Sequence, residues 1–140
     1  VGKILCATRG GEGSDRTVER AIALSRAQDD ELVFLFVADA SFLAQMAAPM
    51  VVDIERRLED MGRFQLARIE KKAAAQGLMT LTVVRRGRFR RQLAAAAREL
   101  DVTLIVLGTP GGHTSVFEEE TLPAFAASLE AETGIPVRIL

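Results

Sequence analysis

Residues 103–112, TLIVLGTPGG, pass from an unbroken apolar and β-branched run straight into a loop carrying Gly108, Gly111 and Gly112. A run this short reads as a strand, and one without polar alternation is covered on both faces, the habit of parallel sheets. In such sheets ligands collect beyond the carboxyl ends of the strands, where glycine lets backbone N–H groups approach an anion closely. Gly108, Thr109, Gly111 and Gly112 are therefore the first candidate site residues.

Outward from that stretch, strand and helix signals alternate along the whole chain. Residues 3–7 form a first strand and residues 14–27 a helix, with Val18, Ala21, Ile22 and Ser25 along one face, Ser14 as N-cap and Asp15 favouring the first turn. ELVFLFVA at 31–38 is a second buried strand. Residues 40–49 are apolar without a clear period, and Pro49 marks a break before a long helix over 52–76 that Gly77 stops. Residues 78–84 make a third strand, Phe89, Leu93, Ala96 and Leu100 a helix seam ending near Asp101, and 103–107 the fourth strand. Leu122, Phe125, Ala126 and Leu129 mark a last helix closed by Gly134; Pro136 then opens a strand at 137–140, which must lie at an edge because a central strand needs every backbone donor. Five strands alternating with four helices predict an α/β fold, a three-layer doubly wound five-stranded parallel sheet.

Composition narrows the function. The 140 residues fit one domain spanning 1–140, and 49% hydrophobic against 26% charged residues is a globular balance. Eighteen basic and nineteen acidic side chains leave a formal charge of −1, so no overall field draws the chain to nucleic acid or anionic lipid, and partners must be recognised locally. Cys6 stands alone inside a strand and reads as a small buried hydrophobe. With no apolar run of membrane-spanning length and no secretory signal, a cytoplasmic location is expected. One Cys and one His cannot build the usual zinc ligand set, and Thr114 and Ser115 beside His113 read as loop hydroxyls bonded to local backbone. No enzyme activity is expected. Met46, Met50 and Met61 read as packing or as a soft contact surface.

KILCATRGGEGSDRTVERAIALS at 3–25, TLIVLGTPGG at 103–112 and GIPVRIL at 134–140 together resemble the universal stress protein family, over essentially the whole chain. The resemblance implies a Rossmann-like sheet of the adenine nucleotide alpha hydrolase type, strand order 3-2-1-4-5, with the switch point between strands one and four. It also implies a cytoplasmic homodimer, often joined through the last strand, here running from Val137 to Leu140. Roles in stress survival, not turnover, go with it.

Nucleotide-binding members carry an aspartate just after the first strand, then after the fourth strand a glycine, two residues, a second glycine, nine residues and a Gly-Ser or Gly-Thr pair. Gly108 and Gly111 match the first half of that pattern. Nine residues further stand Thr121 and Leu122 in place of the closing pair, and Ala7, Thr8, Arg9 and Gly10 occupy the place of the aspartate. The candidate crevice is thus Thr8, Arg9, Gly10, Ala38, Gly108, Thr109, Gly111, Gly112 and Thr121, with two of its three nucleotide determinants replaced. Glu118, Glu119 and Glu120 would repel a triphosphate and serve the following helix themselves. Arg9 could grip an anion across the crevice, but an ion pair with Glu12 or with the glutamate run is favoured. GGEG lacks the third glycine of a dinucleotide fingerprint.

Arg85, Arg86, Arg88, Arg90 and Arg91 crowd the start of the third helix, where positive charge opposes the macrodipole. An anionic ligand there competes with a solvated rim whose arginines pair with neighbouring acids, and the rim is favoured. Phe89 reads as core, in register with Leu93, and nucleic-acid binding is disfavoured. The leading expectation is a regulatory or interaction domain of the stress response without tight ATP binding. The runner-up is an ATP-binding member with weak or no hydrolysis, and a third reading is an accessory domain of a larger transporter or tandem protein, hinted at by Val1.

Overall fold

The first strand ends up in the middle of the sheet because two crossovers carry the chain outward on one side of it and two on the other. In the computed structural model, which describes residues 2–8, 12–40, 48–108 and 121–140 (side chains from 15 in the second segment), the elements are β1 (Lys3–Thr8), α1 (Glu12–Gln28), β2 (Glu31–Ala38), α2 (Ala48–Ala75), β3 (Thr80–Arg86), α3 (Phe89–Glu99), β4 (Leu104–Leu107), α4 (Leu122–Thr133) and β5 (Val137–Ile139). All four pairings are parallel, in the order β3-β2-β1-β4-β5. The expected doubly wound α/β sheet is therefore observed, with its switch between β1 and β4.

Strand alternation sends Leu5 and Ala7 to one face and Ile4 and Cys6 to the other. The first face packs with Val33, Leu35, Ile105 and Leu107 under Phe89, Leu93 and Ala97 of α3 and Phe125 and Leu129 of α4. The second packs with Phe34, Phe36 and Val106 under Val18 and Ile22 of α1 and Leu66 and Ala73 of α2. β1 and β2 are buried almost throughout, which is why their sequences lack polar alternation. Cys6 is fully enclosed, and burial pushes its thiol up to about 12. Ser25 keeps its place on the buried face by donating to the Asp30 carbonyl at 2.6 Å.

Helix α2 approaches β2 unusually closely. A Cβ on Gly62 would overlap Cδ1 of Phe36 and lie 2.7 Å from Cε1 and Cγ of that ring, so glycine here is a packing requirement. At the helix end Gly77 takes φ +79, with Leu78 N–H donating to the Ala73 carbonyl and Gly77 N–H to that of Ala74. This is the paired arrangement of a glycine-stopped helix. Asp101 does the same work after α3 at φ 54, with Val102 N–H bonded to Ala97 and its own N–H to Arg98.

Three expected boundaries move. Helix α1 begins at Glu12, so Ser14 lies within the helix and is not its N-cap. Pro49 does not precede α2 but sits in its first turn, where the missing N–H has no helical acceptor to lose. β3 starts and ends two residues later than hydropathy suggests, because Leu78 closes the α2 stop and the edge strand carries Arg85 and Arg86 outward to acids on the flanking helices. At the opposite edge, β5 pairs only with β4, and Ile105 N–H donates to the Pro136 carbonyl, as a strand opened by proline requires.

Candidate functional site

The carboxyl ends of β1, β2 and β4 converge at the switch point and bring Thr8, Ala38 and Gly108 to one rim of the sheet. Arg9, Gly10, Thr109, Gly111, Gly112, Glu118 to Glu120 and His113 to Ser115 lie outside the described residues, as does Met46. What the three rim residues do is clear from their contacts. Thr8, at the end of β1, is buried, and its hydroxyl donates to the Leu35 carbonyl at 3.3 Å. Ala38 is buried and its carbonyl accepts from Gly87 N–H at 3.1 Å. Gly108 faces Thr17 of α1: a Cβ there would overlap Thr17 Oγ1 and come within 2.9 Å of its Cβ and Cγ2. The first glycine of the motif is required by helix packing, whatever else approaches it.

The fourth described candidate, Thr121, caps α4. Its Oγ1 accepts from Ala124 N–H at 3.3 Å, and its carbonyl from Phe125 N–H at 2.9 Å. Pro123, in the first turn, has no N–H to offer. A helix N-terminus binds phosphate through unused N–H groups, and here one of the first three is deleted and another is taken by the cap.

Two residues that sequence reasoning missed hold this rim together. Asp39, directly after β2, accepts the Phe89 N–H through Oδ2 at 2.9 Å, so a carboxylate fifty positions earlier supplies the first turn of α3. Gly87 adopts φ +135 between β3 and α3, a conformation that favours glycine. Neither carries a local signal, because each serves a partner distant in sequence. Asp39 also answers part of the electrostatic question raised by the arginines, since the positive end of α3 already has an acid.

Three of the five clustered arginines pair with acids of the same chain. Arg85 meets Glu99, Arg86 meets Glu59, and Arg90 reaches Glu132 at 3.3 Å and Ser128 Oγ while lying 5.7 Å from the centroid of the Phe125 ring. Phe89 is buried against Phe125, with ring centroids 6.0 Å apart, and belongs to the core as expected. Arg88 and Arg91 are exposed and make no ion pair with described residues. Glu59 also holds Arg63 at 3.1 Å. The hydrogen bond from Arg86, with Arg63 adding to it, keeps the Glu59 carboxyl below its usual range. Such a depressed carboxyl stabilises the fold above its ordinary value of 4.5 and loses that contribution as pH falls through its lowered folded value. Glu59→Gln is thus expected to lower the urea midpoint modestly at pH 7, the gap from wild type closing on acidification; a gap unchanged down to pH 3 would remove this ion pair from the account of stability.

Among the described residues no helix is long and apolar enough to cross a membrane, and no three His, Cys, Asp or Glu side chains group as metal ligands. A family model described as the universal stress protein family matches residues 1–138. A universal stress protein family structure from Burkholderia pseudomallei shares 22% identity at a TM-score of 0.73, covering 99% of this chain and 95% of that one. A family protein from Arabidopsis thaliana, solved with AMP bound, shares 15% identity at TM-score 0.70, covering 100% and 91%. A universal stress protein solved in complex with cAMP shares 22% identity at TM-score 0.61, covering 99% and 95%. At these identities the likeness speaks to the fold. A comparison with curated proteins found no significant match.

Proposed function

The chain belongs to the universal stress protein family, and from that footing we propose that it is a regulatory or interaction module of the stress response whose crevice does not hold ATP tightly. The observation that carries this reading is the start of α4. Thr121 and Pro123 leave little of the N–H array that would face a phosphate chain. The end of β1 points the same way: Ala7, Thr8, Arg9 and Gly10 stand in the sequence where nucleotide-binding members have an aspartate, and the Thr8 hydroxyl is spent on the Leu35 carbonyl. Glu118, Glu119 and Glu120 directly precede Thr121 in the sequence, and negative charge there disfavours a triphosphate.

Relatives with AMP and cAMP bound favour one alternative, an ATP-binding member that tolerates these changes. Its phosphates would lie among Gly108, Thr109, Gly111, Gly112 and Thr121. As an interaction module the protein works as a cytoplasmic homodimer through β5. Within that strand the Val137 N–H is already bonded to Glu130 Oε1 at 2.9 Å, so strand alternation leaves Ile139 as the outward donor on which a two-fold pairing would centre.

One set of measurements separates the readings. The chain has no Trp and no Tyr, so a bound adenine would dominate the near-ultraviolet spectrum of the purified protein. We expect no adenine band, no calorimetric heat with ATP, and a dimer in sedimentation that Ile139→Pro dissociates. The triple variant Glu118→Gln, Glu119→Gln, Glu120→Gln should raise whatever residual ATP affinity exists. Micromolar or tighter ATP binding by the wild type would overturn the leading reading in favour of the nucleotide-binding one, and an ATP-free monomer would remove the β5 dimer alone.

A further inference from the structure

β3 forms one edge of the sheet and pairs with β2 alone. The Gly87 N–H donates to the Ala38 carbonyl, so β3 residues of that parity, Leu81, Val83 and Arg85, turn their backbone groups toward β2. Thr80, Thr82 and Val84 consequently turn theirs outward, and no described residue bonds them. Proteins commonly blunt such an edge with proline, a bulge or a charge, yet the register from Thr80 to Val84 is unbroken and these five residues hold neither proline nor charge. On the α3 side of the sheet, Met79 and Leu81 are 93% and 50% exposed, in line with half-buried Val83.

We propose that this edge pairs with β3 of a second copy of the chain, antiparallel about a two-fold axis at Leu81. A row of outward donors and acceptors is matched by another strand, and in that register this strand is complementary to itself. Leu81 meets Leu81 on the axis; Met79 meets Val83, and Thr80 exchanges both backbone hydrogen bonds with Thr82, each of these two contacts occurring twice. Thr80 Oγ1 is buried without a hydrogen-bond partner among the described residues, and Thr82 of the copy, directly opposite, supplies one on rotation of χ1. Arg85 and Arg86, already paired with Glu99 and Glu59, fall opposite Gly77 and Gln76, so no like charges meet.

Neighbouring registers match less well. An axis at Thr82 or Val83 sets Arg85 against Met79 or Leu81, a charge against an apolar side chain. An axis at Thr80 sets Thr82 against Leu78, whose N–H is already given to the Ala73 carbonyl. A single strand pair buries less than the roughly 1,200 Å² at which stable interfaces begin, so the contact forms in concentrated solution and does not set the oligomeric state of dilute protein. It uses the edge opposite β5 and depends neither on that pairing nor on the crevice.

Cysteine cross-linking tests the pairing, because Cys6 is fully enclosed, with its thiol pushed up to about 12, and does not compete. Residues facing each other in non-hydrogen-bonded antiparallel pairs, as 81 with 81 and 79 with 83 would, stand close enough for a disulfide. In concentrated protein oxidised with copper phenanthroline, Leu81→Cys is expected to dimerise at least about tenfold faster than Met79→Cys or Val83→Cys alone, while an equimolar mixture of those two cross-links one to the other. The same result is expected in the Ile139→Pro background, so a failed β5 dimer and a failed β3 pairing are told apart. In that background the sedimenting mass should rise with concentration, and Leu81→Lys should abolish the rise. Circular dichroism confirms that each variant keeps its fold. Equal cross-linking rates at all three positions, fastest cross-linking at Val83→Cys, or self-association indifferent to Leu81→Lys would each overturn the proposal. Tighter binding of an unrelated alternating Val-Thr peptide than of a second copy would also overturn it, by making the edge a site for another protein's strand.

Discussion

Gly108→Ala is expected to lower the unfolding free energy by about 3 kcal/mol, at the upper end of what overpacking a core usually costs. The cause is geometric, since the new methyl group would occupy the space of the Thr17 hydroxyl and crowd the Cβ and Cγ2 behind it. Thr17 is buried at the close approach of α1 to the end of β4, and neither the helix nor the strand can retreat without opening the layer of Val18, Ile22 and Val106. Without Trp or Tyr the transition is followed by far-ultraviolet circular dichroism in urea. Thr17→Ala removes the overlapping Oγ1 and the Cγ2 and leaves only the Cβ at 2.9 Å, so in the Gly108→Ala background it should cost less than in the wild type, giving a coupling of about 1 kcal/mol or more. An alanine variant as stable as the wild type would mean that the glycine serves a ligand and not the helix contact. The distinction matters for function, because a motif glycine can persist for packing after its nucleotide role has gone.

Phe34→Ala should cost about 4 kcal/mol, a large part of the roughly 5–15 kcal/mol that holds a domain together. Phe34 is fully buried in β2, opposite Cys6 of β1 and Thr82 of β3, in the layer that α1 and α2 cover. Its removal leaves a ring-sized void between strands that carry buried neighbours on either side, so little collapse can fill it. Met79→Ala is the matched control: that side chain is 93% exposed, and its truncation should move stability by no more than about 0.5 kcal/mol. A Phe34 variant within 1 kcal/mol of wild type would show that this layer repacks freely.

The arrangement of strands and helices was open to reading because burial on both faces writes itself into β1, β2 and β4 as unbroken apolar runs, and because Gly77, Gly134 and Pro136 each have a conformational meaning that holds wherever they stand. The start of β3 was misplaced for the same reason in reverse. Hydropathy marks Leu78 as strand, yet the stop of α2 claims it, and the arginines that hydropathy excludes belong to the strand because an edge lets long side chains reach Glu59 and Glu99. Arginine pairing was anticipated in kind, but not which acids would answer, since Glu132 lies forty-two positions from Arg90.

By itself, then, the sequence determined the order of elements, the parallel doubly wound sheet and the faces that pack as core, all of which depend on periodicity or on residues adjacent along the chain. Only the tertiary structure decided that Gly108 is held by Thr17, that Asp39 caps α3, that Thr121 spends its hydroxyl on α4, and that α2 leaves Met50, Met61 and Phe64 exposed. Each of these is a contact or an exposure set by the packing of whole helices on the sheet, and a linear pattern carries no record of which distant residue a helix will bring near.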